Sequence, residues 1–156
     1  MFMKIILTSG IGEGNTKLAA FDKALNDAGI ANYNLIPLSS VIPKNAEIVE
    51  GKFTSKKEEY GHKLYVVIAH REEDRIGKGC FAGLGWVQAK DGKGLFVEHE
   101  GETEEEVKEK IVKSLTDMVK YREEEFGEIR YKITGTICKN KPVCALVCAV
   151  YRVEGW

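Results

Sequence analysis

Val143-Cys-Ala-Leu-Val-Cys-Ala-Val150 is an unbroken apolar run of strand length. Successive side chains on a strand point to opposite faces, so a segment apolar on both faces has to lie deep between two covering layers. Outward from it, a turn at Asn140-Lys141-Pro142 joins two final strands, roughly 128–138 and 142–152. Residues 3–8, 64–69, 79–89 and 94–100 also read as strands, and Asp91-Gly92 marks a hairpin between the last two. Asn34 to Val41 is extended, with Pro37 and Pro43 discouraging helix. The polar stretch Gly51 to Lys63 is an exposed loop or hairpin.

Two helices complete the pattern. One runs from about Thr16 to Ala28, with Leu18, Phe21, Leu25 and Ala28 on its apolar stripe and Gly29 as its stop. The other opens on a capping box, Thr103 with Glu106. It carries Glu104 and Glu105 at its positive end and buries Val107, Ile111, Leu115 and Met118. Two helices and about seven strands, mostly in antiparallel order, predict an α+β fold rather than a doubly wound parallel sheet.

At 156 residues the chain suits a single domain, 1–156, able to bury roughly two-thirds of its unfolded surface without disulfides or metal. It is 44% apolar and 30% charged, and its net charge of −1 gives no reason to expect nucleic acid or an anionic membrane as partner. No apolar run approaches the roughly 20 residues of a membrane span. The opening Met1-Phe-Met-Lys-Ile-Ile-Leu7 is too short an apolar stretch for a signal peptide. Cys80, Cys138, Cys144 and Cys148 form no C-x-x-C pair, which predicts reduced core thiols in a cytoplasmic protein. Cys144 and Cys148 would sit about 13 Å apart on a strand, too far to share one zinc, and no metal site is expected.

The strand, glycine turn and helix at Gly10-x-Gly12-x-Gly14 look like half of a phosphate-binding site. The spacing is not G-x-G-x-x-G, no acid follows the second strand, and no Lys-Ser/Thr pair is present. A non-catalytic nucleotide or small-molecule binding module using this turn stays open as an alternative.

Taken alone, Ser39-Ser40 reads as two turn serines before a proline. The wider stretch changes that. Leu18-Ala-Ala-Phe-Asp-Lys-Ala-Leu25, Ala28-Gly-Ile, Asn32-Tyr-Asn-Leu-Ile36 and Leu38-Ser-Ser-Val-Ile-Pro-Lys-Asn-Ala-Glu-Ile48, with Gly94-Leu-Phe-Val-Glu-His-Glu-Gly101, closely resemble the pyruvoyl-dependent arginine decarboxylases. Element order and length are similar over nearly the whole chain. The resemblance implies an αββα sandwich of mostly antiparallel strands covered by helices. It also implies autocatalytic cleavage between Ser39 and Ser40 into a β chain, 1–39, and an α chain, 40–156, and a covalent pyruvoyl group derived from Ser40. Such a ketone acts as an electron sink, as pyridoxal phosphate does elsewhere, so that L-arginine loses CO2 and leaves as agmatine. The implied assembly is a trimer of αβ units with active sites between neighbours. A pyruvoyl decarboxylase acting on another amino acid is the nearer alternative.

The resemblance also distributes roles. Asn34 would assist processing; from the residues alone it reads as a turn-capping amide. Glu98 would be the general acid. It shares a strand face with Phe96, an apolar wall able to raise a carboxyl pKa, although by spacing it could simply head the exposed acidic run Glu98, Glu100, Glu102, Glu104. His99 points to the other face, and Glu100 is the nearest competitor. Asp22, at the edge of the first helix's apolar stripe, would bind the guanidinium through paired hydrogen bonds, with Leu25 and the Gly29-Ile30 backbone as pocket wall. A plain helix-dipole role for Asp22 stays open. The lysines of 51–63, and Glu13 and Asn15 beside the glycines, depart from the family pattern without touching the serine pair.

Overall fold

The computed structural model describes residues 2–156; Met1, at the head of the opening apolar stretch, lies outside them. The chain runs β1 (Met3–Glu13), α1 (Lys17–Ala28), β2 (Asn34–Pro37), β3 (Val41–Ile42), β4 (Ala46–Glu50), β5 (Lys63–Glu73), β6 (Gly79–Gln88), β7 (Gly94–Gly101), α2 (Glu104–Met118), β8 (Arg130–Ile137) and β9 (Val143–Glu154). The strands form two sheets, β2-β5-β9-β1-β4 and β3-β7-β6-β8. Helix α1 covers the outer face of the first sheet and α2 the outer face of the second, giving the αββα sandwich. The pairings are antiparallel except β1 with β4 and β2 with β5.

β9 has both faces covered. Cys144, Leu146, Cys148 and Val150 face α1, while Val147 and Ala149 meet Ile5, Leu7, Leu84, Trp86 and Phe96 between the sheets. All four cysteines are buried free thiols. Among the described residues no helix is long and apolar enough to cross a membrane.

Two sequence expectations are corrected. First, the glycines do not form a phosphate-binding turn: β1 continues to Glu13, so Gly10 and Gly12 are strand residues. They serve packing. A Cβ at Gly10 would stand 2.1 Å from the Ala24 carbonyl oxygen, and one at Gly12 would stand 2.4 Å from that of Ala20. Second, the fully buried stripe of α1 is therefore Ala20, Ala24 and the expected Ala28, with Phe21 and Leu25 packed half-buried at its edge and Leu18 outside it. Small faces small, and Leu18 is left 77% exposed. The stretch expected as a loop or hairpin is a loop with a short 3-10 turn at Lys57–Glu59, and β5 begins at its last residue, Lys63. The strands β3 and β4 lie in stretches the sequence left extended or unassigned.

The helix boundaries follow their signals. Thr16 accepts from the Ala19 amide and Gly29, at φ 85°, closes α1 in the left-handed conformation. Thr103 accepts from the Glu106 amide while the Glu106 carboxylate accepts from the Glu102 amide, one residue earlier than a standard capping box.

Gly12→Ala is expected to force α1 off β1 and lower unfolding free energy by about 2 kcal/mol or more. Urea denaturation followed by circular dichroism measures it, and unchanged stability would contradict the close packing.

Candidate active site

β2 is the edge strand of one sheet and β3 the edge strand of the other, so Leu38-Ser39-Ser40 crosses between sheets. The Leu38 amide donates to the Val66 carbonyl at 2.8 Å on the first sheet, and the Phe96 amide donates to the Ser40 carbonyl at 2.8 Å on the second. Two extended edges cannot be joined over so short a path without a sharp bend. Ser40 supplies it with φ 71°. Among the described residues the other non-glycine positions of that kind, Asn32 and Asn45, carry the residue type that tolerates the conformation best. A serine held there costs of order 1–3 kcal/mol and persists because its surroundings fix it.

The Ser40 hydroxyl donates to Glu98 Oε1. Glu98, on β7, lies opposite Leu84 of β6 and shares the inter-sheet face with Phe96, as the strand period predicts. It is nevertheless open to solvent in the single chain, so no apolar wall encloses it there. His99 faces α2, where its Nε2 lies 2.7 Å from Ser114 Oγ, and burial lowers its pKa. Glu100 is engaged elsewhere: it accepts from Arg71 Nη1 at 2.5 Å, within a cluster formed with Glu73, Arg75 and Glu102. That separation decides between the two glutamates for contact with Ser40.

The remaining predicted residues do not converge on Ser40 within one chain. Asn34 begins β2, and its amide donates to the Gly61 carbonyl at 2.8 Å. The strand Asn34–Pro37 alone spans about 10 Å before the crossing begins. Asp22 is exposed rather than at the edge of the buried stripe, because the alanine stripe turns it outward. It stands on α1, with the first sheet between it and the Ser40–Glu98 pair. Leu25 is half-buried, Gly29 is the α1 cap, and the Ile30 side chain is fully buried, leaving only its backbone to face a ligand. Clefts of about 970 and 1030 Å³ lie along α2 and beside β4, away from Ser40.

Two contacts were not readable from sequence. The Phe96 donor is a backbone amide, which carries no residue signature. Tyr151 donates to the Val41 carbonyl at 2.9 Å. Its only signal is a phenol following the apolar run Val143–Val150.

A nucleophile and a carboxylate meeting at a strained crossing of two sheets have the arrangement of an enzyme site, and similarity to known proteins gives the class. A family model described as pyruvoyl-dependent arginine decarboxylase matches residues 4–154. The pyruvoyl-dependent arginine decarboxylase of Thermococcus sibiricus is 37% identical over 150 residues, covering 94% of this chain and 93% of that one. Its counterpart from Thermococcus kodakarensis is 36% identical over 149 residues, again 94% and 93%. A protein named pyruvoyl-dependent arginine decarboxylase 2, from Archaeoglobus fulgidus, is 30% identical over 119 residues, covering 75% and 76%. The chain belongs to the pyruvoyl-dependent arginine decarboxylase family. That family depends on a covalent pyruvoyl group derived from serine, and Ser40 fits the requirement: bent backbone, half-open placement, hydroxyl held by a carboxylate.

The charge cluster that removes Glu100 from the serine gives a pH prediction. Glu73 is 3% exposed and accepts from Arg75 and Arg71; the Arg75 hydrogen bonds, ahead of all else, hold its carboxyl well below the ordinary value of 4.5. A carboxyl depressed on folding stabilises fully above its unfolded pKa and loses that contribution as pH falls toward the folded one. Glu73→Gln is expected to cost roughly 2 kcal/mol near neutrality, with the variant and parent converging in acid, as urea melts at about pH 7 and about pH 3 would show.

Proposed function

We propose that the chain cleaves itself between Ser39 and Ser40 and that the resulting group at residue 40 serves decarboxylation of L-arginine to agmatine and CO2. The observation that carries this reading is Ser40 at φ 71° with its hydroxyl on Glu98. Ser40 Oγ attacks the Ser39 carbonyl carbon; the new carbon–oxygen bond replaces the carbon–nitrogen bond, and the hydroxyl proton ends on the freed amine. The Ser40 α-proton then leaves, the Oγ–Cβ bond breaks, and residues 1–39 depart with a carboxylate. The remaining dehydroalanine tautomerises, adds water and loses ammonia, which gives the ketone. The pyruvoyl group supplies an electron sink for the charge left by departing CO2.

Glu98 orients the Ser40 hydroxyl before cleavage and stands within reach of the same position afterwards, where it returns the proton that completes the product. Asp22 binds the guanidinium, with Leu25 and the Gly29-Ile30 backbone as wall, and Asn34 assists processing. Because Asp22 and Asn34 lie apart from Ser40 in one chain, a neighbouring copy supplies them, in a trimer of cleaved αβ units. Exposed apolar side chains support such contacts: Leu18 stands one α1 turn from Asp22, and Val41, 59% exposed, adjoins Ser40. Four free buried thiols support a cytoplasmic setting, and the net charge of −1 gives nucleic acid no purchase.

Intact-mass measurement tests the cleavage. Purified protein is expected as two fragments and Ser40→Ala as one 156-residue chain; a cleaved Ser40→Ala protein would refute the scheme. In Glu98→Gln the amide oxygen still accepts from the hydroxyl but the group cannot deliver a proton. Cleavage is expected to survive while CO2 release from arginine falls about 10²–10⁴-fold.

Mixing tests the shared site. Asp22→Ala and Glu98→Gln are each expected to be inactive alone. Co-expressed, they are expected to recover part of the activity, since mixed assemblies contain some intact sites. No recovery would confine the site to one chain.

A further inference from the structure

Cutting the chain ahead of residue 40 turns a bridged segment into a chain end, and chain ends fray unless tied down. The ties that remain on the residue 40–42 side are few. β3 is two residues long and pairs only with Leu95 and Gly94. Within one chain the Val41 side chain is largely exposed, so the chain's own packing holds it weakly, and only Ile42 is an apolar anchor. The Phe96 amide holds the carbonyl of residue 40. The next carbonyl, that of Val41, is held by a side chain: Tyr151 donates its phenolic hydrogen to it at 2.9 Å.

The placement of Tyr151 is unusual for its strand. Along the β5–β9 ladder Tyr65 pairs with Arg152 and Val66 with Val150, so Tyr151 is the extra, unpaired residue of a β-bulge. Bulges kink a strand and re-aim a side chain. Here the ring packs against Phe96, with centroids 6.3 Å apart, and the hydroxyl leaves the layer between the sheets to meet the crossing segment. Burial first, and the Glu98 carboxylate second, keep the phenol protonated far beyond neutrality, so it remains a donor.

We infer that Tyr151 is a positioning residue for residue 40: from its β-bulge it clamps the Val41 carbonyl, fixing the peptide unit next to the reactive residue both during self-cleavage and in the cleaved enzyme. This rests on the reading of Ser40 above. The clamp acts on where residue 40 points and not on the arginine side chain, so its loss belongs in the rate of cleavage and in kcat, with KM unmoved.

The test is Tyr151→Phe, which keeps the ring against Phe96 and removes only the donor, compared with Leu146→Ala, which opens a cavity on the α1 side of the same strand. Disappearance of the full-length chain is followed by intact mass, and kcat and KM are measured on the fully cleaved fraction. All measurements are made at a temperature where circular dichroism shows each protein folded. Leaving the Val41 carbonyl without its donor is expected to slow cleavage, kcat or both by about tenfold, with KM within about twofold of the parent. Leu146→Ala is expected to lose stability and neither rate. The inference is overturned if Tyr151→Phe matches the parent in both rates, if its defect lies in KM, or if Leu146→Ala slows the same steps equally. A parent protein that never cleaves would overturn the reading of Ser40, and this inference with it; a cleaving parent with an unaffected Tyr151→Phe would overturn this inference alone.

Discussion

Burial of β9 on both faces is the constraint from which the other positions follow. Its α1 side closes one core and its opposite side closes the second, so neither sheet has a complete interior without it. Antiparallel ladders to β1 and β5 run along most of its length, which fixes the register of the first sheet at its centre. A one-residue slip would exchange Val147 and Ala149 with Leu146 and Cys148 and mismatch both layers at once. The strand departs from that register only at Tyr151, where it carries the phenol toward Val41. The central packing element and the candidate site are thus connected through one strand.

The strain at Ser40 is held by this frame. Its carbonyl is tied to Phe96 on one sheet, and the preceding Leu38 amide is tied to Val66 on the other. A left-handed serine would relax if either edge were free to shift; with both edges anchored in packed sheets, relaxation would require moving a layer. The same arrangement accounts for how a molecule cut at this point would stay together. Residues ahead of the crossing include β1, which lies inside the first sheet between β9 and β4, and α1, seated on Gly10 and Gly12. Hydrogen bonding and burial hold that piece independently of the peptide bond to Ser40.

The layered architecture was legible because periodicity reports burial. The two-sided apolar run, the Asp91-Gly92 hairpin and the capping box around Thr103 each have one physical reading, and the structure follows them. What misled was glycine. Gly10, Gly12 and Gly14 carry the composition of a turn, yet two of them are strand residues whose missing side chains admit a helix, and nothing local distinguishes those uses. Ala20 and Ala24 escape the sequence for the same reason: large apolar residues outrank alanines in any periodicity count, but close approach to a glycine strand selects alanine. At the site, family resemblance and strand period together single out Ser40 and Glu98 as candidates, and their contact is what the structure adds. The Phe96 amide and the Tyr151 clamp are not legible, since backbone donors and bulges leave no mark in residue identity.

Within one chain Glu98 is exposed and Ser40 half-open. Charge developing beside open solvent is weakly stabilised, whereas a covered site strengthens each electrostatic contact. On the proposed reading the cover comes from the α1 surface of another copy, which brings Asp22 and Leu18 over Ser40 and Val41. Those are different patches of the same chain, separated by the first sheet, so the contact joins unlike surfaces and is heterologous. A twofold dimer buries the same patch on both partners and would leave each copy's second patch bare. Unlike surfaces satisfy one another only in a closed ring or an endless filament, and a ring leaves no unfilled site. On the proposed reading, the separation of Asp22 from Ser40 within one chain, awkward for a monomeric enzyme, suits a closed ring of copies such as the proposed trimer.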